Sequence, residues 1–416
     1  MAAFHRGCIP VLATLAICAC SKSAPKPGMS GSAGAGGQAA TAGAAGTIAG
    51  GAGAGTAGAI DAGVGGSSGT AGVAPIVDGG GAGATEAGTD GATFPIGDPG
   101  TDGDGDLMIS PPYATQPDLT DKGNPKGKSF HFVMDSTQSQ LFKGDDPTLK
   151  AANQHSFMRA VDVYVPAAYK DGTPAPVLLI QDGPGELGLV KNALDNLTIS
   201  KDPTRKLPAF VVVAIANGGG DSKGSERGLE YDTMSDRYAR FVQTEVLPAV
   251  VADANVKAAF PHLTFTDDPE GKATLGCSSG GAAALTMGWF RPDLFHRVIT
   301  YSGTFVAQQN DTAPEQAMFP DGAWDYHSNL DLIMNDPRKP LRVFLNCNQM
   351  DNGATAPASG EHNWVIANQR TAAALKAQDY HYRFIYAMQA GHCDGNVQNE
   401  TLADTLVWTW RGFPAP

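Results

Sequence analysis

The stretch Gly276-Cys277-Ser278-Ser279-Gly280-Gly281 decides the fold of this 416-residue chain. The preceding run, Lys272-Ala-Thr-Leu275, predicts a short strand, and the following residues 282–290 predict a helix. Small residues around Ser278 allow the strand and the helix to approach closely through a strained turn. Such a turn exposes the serine hydroxyl above the sheet, where the helix N-terminus favours a developing negative charge. Ser278 is therefore the candidate nucleophile.

A Gly-x-Ser-x-Gly turn between a strand and a helix is typical of the nucleophile elbow of α/β-hydrolases. The pattern alone is weak evidence, because Gly65-Gly66-Ser67-Ser68-Gly69 matches it as well. That second match lies in a Gly/Ala-rich stretch with no predicted strand or helix on either side. The context favours Ser278, and the alternative is a tight glycine-rich turn without a catalytic role.

The N-terminus predicts export. Residues 1–20 combine Arg6 with an apolar run that is too short to span a bilayer as a mature helix. The run Ile17-Cys18-Ala19-Cys20 resembles a bacterial lipobox, with Cys20 as the lipidation site because the small Ala19 precedes it. Ser21 in the next position indicates export beyond the inner membrane, to the outer membrane of the cell envelope. The alternative is an ordinary cleaved signal peptide.

Residues 21–112 are mostly Gly, Ala, Ser and Thr and predict a disordered linker, because this composition buries too little apolar surface to fold. Within it, Asp102-Gly-Asp104-Gly-Asp106 has the spacing of a calcium loop. Leu107 replaces the turn glycine and Tyr113 the final glutamate, so we interpret the run as an acidic linker end. The globular domain is predicted to cover residues 113–416.

Strands alternate with helices in the predicted domain. The fully apolar runs Val177–Ile180 and Phe210–Ala214 are typical of buried parallel strands. Residues 232–254 predict a long helix that Pro248 kinks or breaks. This alternation predicts an α/β fold with a mostly parallel, doubly wound sheet and helices on both faces. The net charge of -13 and pI of about 5.0 argue against a nucleic-acid partner.

A serine nucleophile needs a base and a carboxylate that orients the base, in the chain order Ser, Asp or Glu, His. His392 lies in a loop after the last predicted strand and before the last predicted helix, where the base is expected. His296 follows Ser278 too closely to leave room for the acid, and His381 opens a strand. For the acid we predict Asp351, which lies one strand–helix unit before His392. Its competitors are Asp331, Asp336, Glu361 and Asp394.

The oxyanion hole is predicted to use the backbone N–H of Ser279 and a second N–H from the loop 181–185, Gln-Asp-Gly-Pro-Gly. Pro184 has no N–H, so the second donor is Gly183 or Gly185.

Two cysteines flank the predicted catalytic pair. Cys277 precedes Ser278, and Cys393 follows His392. If the serine and the histidine are within hydrogen-bond reach, their neighbours are close enough for a disulfide, which an exported protein can form. We expect a Cys277–Cys393 disulfide with Cys347 free; the alternative is three reduced cysteines.

Residues 125–412 resemble the enterochelin-esterase-like branch of α/β-hydrolases, which includes relatives of feruloyl esterases and esterase D. The matching runs include Val163-Tyr-Val-Pro166, Gln181-Asp-Gly183, residues 230–240, Ser278-Ser-Gly-Gly281 and Trp408-Thr-Trp-Arg-Gly412. The resemblance implies a serine esterase that needs neither a metal nor another cofactor, with Ser278 as nucleophile and His392 as base. Similar bracketing of serine and histidine by a disulfide occurs in glucuronoyl esterases, which carry Arg where this chain has Ser279.

The expected substrate is a small-molecule or carbohydrate ester: a siderophore, sugar or phenolic ester. Residues expected to bind it fall in predicted loops near the C-terminal edge of the sheet, where ligands bind and aromatic rings stack on sugars or phenols. These are Arg227, Glu230, Tyr231, Trp324, Tyr326 and Trp364. For Glu230, Tyr231 and Trp364 the alternative is structural packing. Rival functions are acyl transfer of the mycolyltransferase type and a surface binding module without activity.

Overall fold

A computed structural model describes residues 100–414, which form one large sheet covered by helices. The predicted α/β-hydrolase fold is confirmed. Eleven strands lie in the described residues: Gly105–Ile109 (β1), Lys128–Asp135 (β2), Met158–Val165 (β3), Pro174–Ala175 (β4), Val177–Gln181 (β5), Val211–Ile215 (β6), Thr264–Phe265 (β7), Lys272–Cys277 (β8), Arg297–Tyr301 (β9), Arg342–Met350 (β10) and His381–Gly391 (β11).

The main sheet has nine strands in the order β1-β11-β10-β9-β8-β5-β6-β3-β2. Strand β3 is antiparallel to both its neighbours, β2 and β6, and the other pairs are parallel. Strands β4 and β7 form a separate parallel pair. The order places β8 beside β5 and β9, so the loops that follow these three central strands meet at one edge of the sheet.

Helices cover both faces of the sheet. They are Leu187–Leu197 (α1), Glu226–Tyr231 (α2), Arg237–Phe241 (α3), Leu247–Ala252 (α4), Ala254–Ala259 (α5), Ser279–Phe290 (α6), Leu332–Asn335 (α7), Trp364–Ala377 (α8) and Gly395–Thr409 (α9). Helices α1 and α9 share one apolar core with the inner strands, while α3, α4, α6 and α8 pack on the opposite face. Strands β5, β6 and β9 are buried along their whole length, as expected for central parallel strands.

The linker prediction is wrong at its C-terminal end. Residues 105–109 form the edge strand β1, which pairs in parallel with β11. Asp104 accepts a 2.8 Å hydrogen bond from Trp408 Nε1 and lies 2.8 Å from His381 Nδ1. The acidic run is therefore part of the folded domain, which starts earlier than residue 113. The rest of the predicted linker, the signal peptide and Cys20 lie outside the described residues.

Of the predicted kink or break at Pro248, the structure shows a distortion of the helix and no break. Helical backbone runs from α3 through a π-turn at Val242–Val246 directly into α4, with Pro248 in the first turn of α4. A proline fits there because it lacks the N–H that an ordinary α-helical ladder would use, and the wider π-turn precedes it.

Candidate active site

The predicted nucleophile elbow is present between β8 and α6. Ser278 has φ 59° and ψ −129°, a conformation that L-residues rarely adopt, and its carbonyl accepts hydrogen bonds from Thr304 and Gly281 at 3.0 and 2.9 Å. A Cβ atom on Gly276 would lie 2.3 Å from the Gly280 backbone, so the strand and the helix can approach this closely only with glycine there. The twelve-residue helix α6 starts at Ser279 and directs its N-terminus toward the Ser278 side chain.

The structure brings the predicted acid and base together. His392 Nδ1 lies 2.6 Å from Asp351 Oδ1, and the Asp351 side chain is completely buried. An ionised carboxylate can only accept, so Nδ1 carries the hydrogen and Nε2 is left as the basic nitrogen. Asp351 directly follows β10, in the position expected of the acid, and none of the four competing carboxylates makes a hydrogen bond or ion pair with His392.

The surroundings of Asp351 favour its ionised form. Burial opposes ionisation most strongly, but hydrogen bonds from His392 and Ser302 outweigh it, and the pKa of Asp351 is lowered. Oδ2 accepts from Ser302 Oγ at 2.7 Å and from the Asn348 N–H at 3.3 Å. Oδ1 also accepts from the Asn352 N–H at 2.8 Å. Asp351 is therefore held as a carboxylate in a fixed orientation.

A disulfide joins Cys277 to Cys393, as expected from the sequence, with 6.1 Å between the two Cα atoms. Cys347 is a free, buried cysteine. The disulfide ties the residue before Ser278 to the residue after His392, so the nucleophile elbow and the histidine loop are covalently linked.

The Ser278 hydroxyl contacts Thr304 in this conformation. Ser278 Oγ lies 3.4 Å from Thr304 Oγ1, which accepts a 3.2 Å hydrogen bond from Trp364 Nε1. Within residues 100–414 no hydrogen bond joins Ser278 to His392. The Trp364 ring stands edge-on to the His392 ring, with 6.2 Å between the centroids. Trp364 is thus the one predicted substrate-binding residue that lies beside the base.

The oxyanion prediction needs a correction at Gly183. Its N–H donates to Ile215 O on the neighbouring strand at 2.9 Å, and a Cβ atom on Gly183 would lie 2.8 Å from that strand's backbone. The N–H of Asp182 donates to Tyr231 Oη at 3.0 Å. Among the described residues, the N–H groups of Ser279 and Gly185 have no protein acceptor. Gly183 therefore allows the loop to pack closely against β6. Gly185, the other candidate predicted from the sequence, remains as the second oxyanion donor.

Arg227 binds this loop and offers no free cation to a substrate. Its Nε and Nη2 atoms donate to the two carboxylate oxygens of Asp182 at 2.9 and 2.8 Å, and Asn217 Nδ2 adds a third bond at 2.6 Å. Asp182 has φ 57° and lies against Gly280 of the elbow. Arg227 therefore holds the loop after β5, and its contact with substrate stays a prediction.

Four other predicted substrate-binding residues are buried in the protein interior. The prediction for Glu230 is wrong, because its fully buried carboxylate pairs with Arg159 and accepts the Gly218 N–H. The Trp324 ring packs 4.7 Å from His327 and under the Arg370 guanidinium. The remaining two are the buried Tyr231 and Tyr326.

A buried polar group under the elbow was missed from the sequence. Asp232 follows α2 and accepts a 3.1 Å hydrogen bond from Gln308 Nε2, which also lies 3.3 Å from Ser279 Oγ. Burial is the main cause that raises the pKa of Asp232 to about 7. No local motif marks Asp232 or Gln308, because their proximity to Ser279 depends on the packing of α2 and α6.

The family model named Esterase matches residues 156–402, more than half of the chain. This chain belongs to the Esterase family. The match covers the elbow, Asp351 and His392, so the esterase carries the site described above within its family domain. A sequence search of curated proteins returns no match.

Solved esterase structures are similar to this esterase at low sequence identity. A ferulic acid esterase is 17% identical with a TM-score of 0.46, and 69% of this chain aligns with 100% of that chain. The enterobactin esterase from Shigella flexneri is 20% identical with a TM-score of 0.45, and 69% of this chain spans 60% of its length. A ferulic acid esterase from the anaerobic fungus Anaeromyces mucronatus is 13% identical with a TM-score of 0.46, and 72% of this chain aligns with 98% of that chain.

Residues 100–414 contain neither a metal-binding cluster nor a membrane-spanning helix. No group of three or more His, Cys, Asp or Glu side chains there could hold a metal ion. None of the helices in that range has the length and hydropathy needed to cross a membrane.

Proposed function

We propose that this esterase hydrolyses carboxylic esters through a serine acyl-enzyme, with Ser278 as nucleophile, His392 as general base and Asp351 as the orienting acid. One observation carries the proposal. His392 Nδ1 lies 2.6 Å from the Asp351 carboxylate, to which it donates its hydrogen. The Cys277–Cys393 disulfide links the loop of His392 to the elbow that carries Ser278. This arrangement leaves Nε2 as the only ring nitrogen able to accept a proton.

The first half-reaction requires the Ser278 hydroxyl to turn away from Thr304 and toward His392. Ser278 Oγ then attacks the ester carbon, and its proton passes to His392 Nε2. The carbonyl oxygen becomes an oxyanion that accepts from the N–H of Ser279 and, in our proposal, of Gly185. Each such donor is worth about 10² to 10³ in rate. The tetrahedral intermediate collapses, and the alcohol leaves with the proton from His392.

The second half-reaction returns the enzyme to its starting state. Water, deprotonated by His392, attacks the acyl-enzyme carbon, and the acid leaves as the proton returns to Ser278 Oγ. No metal or cofactor takes part in this proposed mechanism. The substrate is proposed to be a siderophore, sugar or phenolic ester, and the resemblance of residues 125–412 to the enterochelin-esterase-like branch supports this class.

The test is hydrolysis of a short-chain p-nitrophenyl ester by the wild-type protein and by Ser278→Ala. We expect the variant to lose about 10⁴ or more in kcat. Ser67→Ala, at the second sequence match, is the matched control and should retain full activity. Equal catalysed rates for wild type and Ser278→Ala would refute the serine mechanism, whereas rates at the uncatalysed background in both proteins would favour a binding module. Product analysis with a sugar acceptor separates hydrolysis from acyl transfer, and a panel of siderophore, feruloyl and acetyl-sugar esters identifies the substrate class.

We also propose that the protein is exported and anchored in the outer membrane by a lipid on Cys20. The lipobox-like run that ends at Cys20 supports this proposal. Mass spectrometry of the N-terminal peptide from cell envelopes should detect a diacylglyceryl Cys20. Cys20→Ser should release the protein into the soluble fraction, whereas the Cys18→Ser control should not. An unmodified N-terminus after cleavage would instead indicate an ordinary signal peptide.

A further inference from the structure

Ser302 is a fully buried residue that directly follows β9, beside the nucleophile strand β8. Its φ of 46° lies in the left-handed region, which costs a non-glycine residue about 1 kcal/mol or more. Its N–H is satisfied by Asn346 O at 2.8 Å, so the backbone is fixed at this angle. A serine in a conformation suited to glycine indicates that its hydroxyl is needed there.

The Ser302 hydroxyl is bonded on both sides. It lies 2.7 Å from Asp351 Oδ2, and the Cys393 N–H lies 3.1 Å from the same Ser302 Oγ. Because the Asp351 carboxylate can only accept, the single hydroxyl hydrogen must point to Asp351, and the oxygen lone pair accepts from Cys393. One hydroxyl thus contacts both the proposed acid and the residue that follows the proposed base.

The loop that carries His392 is held on its other side by a second buried side chain. Asn348 Nδ2 donates to Gly391 O at 2.5 Å and lies 3.5 Å from Ser302 Oγ. The backbone groups before and after His392 are therefore bound by Asn348 and Ser302, while the imidazole is bound by Asp351. The disulfide at Cys393 restrains the loop without determining the direction of the imidazole.

We propose that Ser302 is a positioning residue that couples Asp351 to the His392 loop, so that the carboxylate and the imidazole keep one mutual orientation. This proposal rests on the proposed serine mechanism. Without the hydroxyl, Asp351 Oδ2 keeps only the 3.3 Å bond from Asn348 and the 3.6 Å contact with the Cys347 thiol. The Cys393 N–H also loses its acceptor. Hydrogen bonds to charged groups have energies that correspond to about a 10- to 100-fold effect on rate.

Loss of the Ser302 hydroxyl should change the basicity of the Asp351 carboxylate as well as its orientation. The titratable side chains in contact with this carboxylate are His392 and the buried Cys347 thiol, whose pKa is raised well above its usual value by burial and by Asp351. Loss of the Ser302 bond leaves a more basic carboxylate beside His392, which favours the protonated imidazole. The acid limb of the kcat/KM profile should therefore move to higher pH.

The experiment compares Ser302→Ala with Ser302→Gly in the full-length protein. Glycine adopts a φ of 46° without strain, so Ser302→Gly keeps the backbone while removing the hydroxyl. We expect both variants to lose about 10- to 100-fold in kcat, with KM within about twofold and with the acid limb shifted upward. The matched control is Ser136→Ala, because Ser136 Oγ also donates to a carbonyl and accepts from a backbone N–H, at 3.1 and 2.9 Å, four strands away from β8.

Wild-type kcat and pH profile in Ser302→Gly would overturn the proposal. So would a loss that is uniform across pH and equalled by Ser136→Ala, since that indicates only a general packing defect. Failure of the serine mechanism itself is recognised separately, because Ser278→Ala would then retain activity whatever the Ser302 variants do.

Discussion

Arg227 donates hydrogen bonds from Nε and Nη2 to the two carboxylate oxygens of Asp182, at 2.9 and 2.8 Å. This ion pair fixes the loop after β5, which faces the elbow helix α6. A guanidinium can make this paired contact, whereas a lysine ammonium makes a point contact. Asp182 has a positive φ and is two residues before Pro184. Because the ion pair holds Asp182 in this conformation, it also fixes the direction in which the loop continues to Gly185. The pair therefore controls one side of the proposed oxyanion hole.

We expect Arg227→Lys to lower kcat by about 10- to 100-fold, because a loosened loop weakens one oxyanion donor without abolishing it. KM for a small p-nitrophenyl ester should change little. Arg237→Lys is the control, since Arg237 also pairs with an aspartate, Asp146, but lies on α3. A rise in KM at constant kcat would instead assign Arg227 to substrate binding, as the sequence alone suggested.

Asp351→Asn should lower kcat by about 10⁴-fold at neutral pH, because the amide no longer fixes the Nδ1–H tautomer of His392. The change is nearly isosteric, so the fold should persist. Asp394→Asn is a close control: Asp394 lies two residues after His392 and caps α9 through the Asn396 N–H at 2.8 Å. An asparagine oxygen can accept the same N–H, so the cap is kept, and both the stability and kcat should be nearly unchanged. Similar losses of kcat in both variants would argue against Asp351 as the acid.

The elbow and the Asp351–His392 pair could be predicted because they depend on chain order and local chemistry. A strand, a glycine-flanked serine and a helix are adjacent in sequence, and Asp351 and His392 each follow their own strand. Strand β1 could not be predicted in this way, because its partner β11 lies more than 270 residues away and its own side chains are mostly exposed. The apolar run Leu107-Met108-Ile109 is too short to indicate a strand without that distant partner.

The wrong predictions for Glu230 and Gly183 have a different physical cause. Glu230 is a charged residue in a predicted loop end, yet it is buried in α2 because Arg159 of β3 pairs with its carboxylate. The N–H of Gly183 is committed to Ile215 O by the packing of β5 against β6, which a single-sequence pattern does not contain. Partners distant in sequence decide whether a polar group faces substrate or the interior.

The Cys277–Cys393 disulfide should stabilise the fold and keep the two active-site loops together. Closing a loop of 116 residues is worth up to about 4.7 kcal/mol in the chain-entropy model. We expect a Cys277→Ala/Cys393→Ala double variant to unfold at lower urea concentration and to lose activity before it loses far-UV signal. Reductant should reproduce both effects in the wild type and have no effect on the double variant. Unchanged stability and activity on reduction would contradict a structural role for the disulfide.

Asp232 should make stability fall as the pH rises. Burial raises its pKa in the folded protein to about 7, from the usual 3.8 of an aspartate. Between these two values the folded state holds a proton that the unfolded state has released, so unfolding becomes easier with each step in pH. The contribution is fully present below about pH 4 and is lost above about pH 7; a difference of about three units corresponds to roughly 4 kcal/mol.

Asp232→Asn removes this titration while preserving the size of the side chain. We therefore expect the free energy of unfolding of the variant, relative to wild type, to increase by several kcal/mol between pH 4.5 and pH 7.5. Burial also raises the pKa of the neighbouring Glu226, to about 8, but that contribution is common to both proteins. Urea titrations at several pH values measure the difference, and Asp236→Asn on the surface controls for the amide substitution. A difference that does not vary with pH would show that Asp232 is ionised throughout.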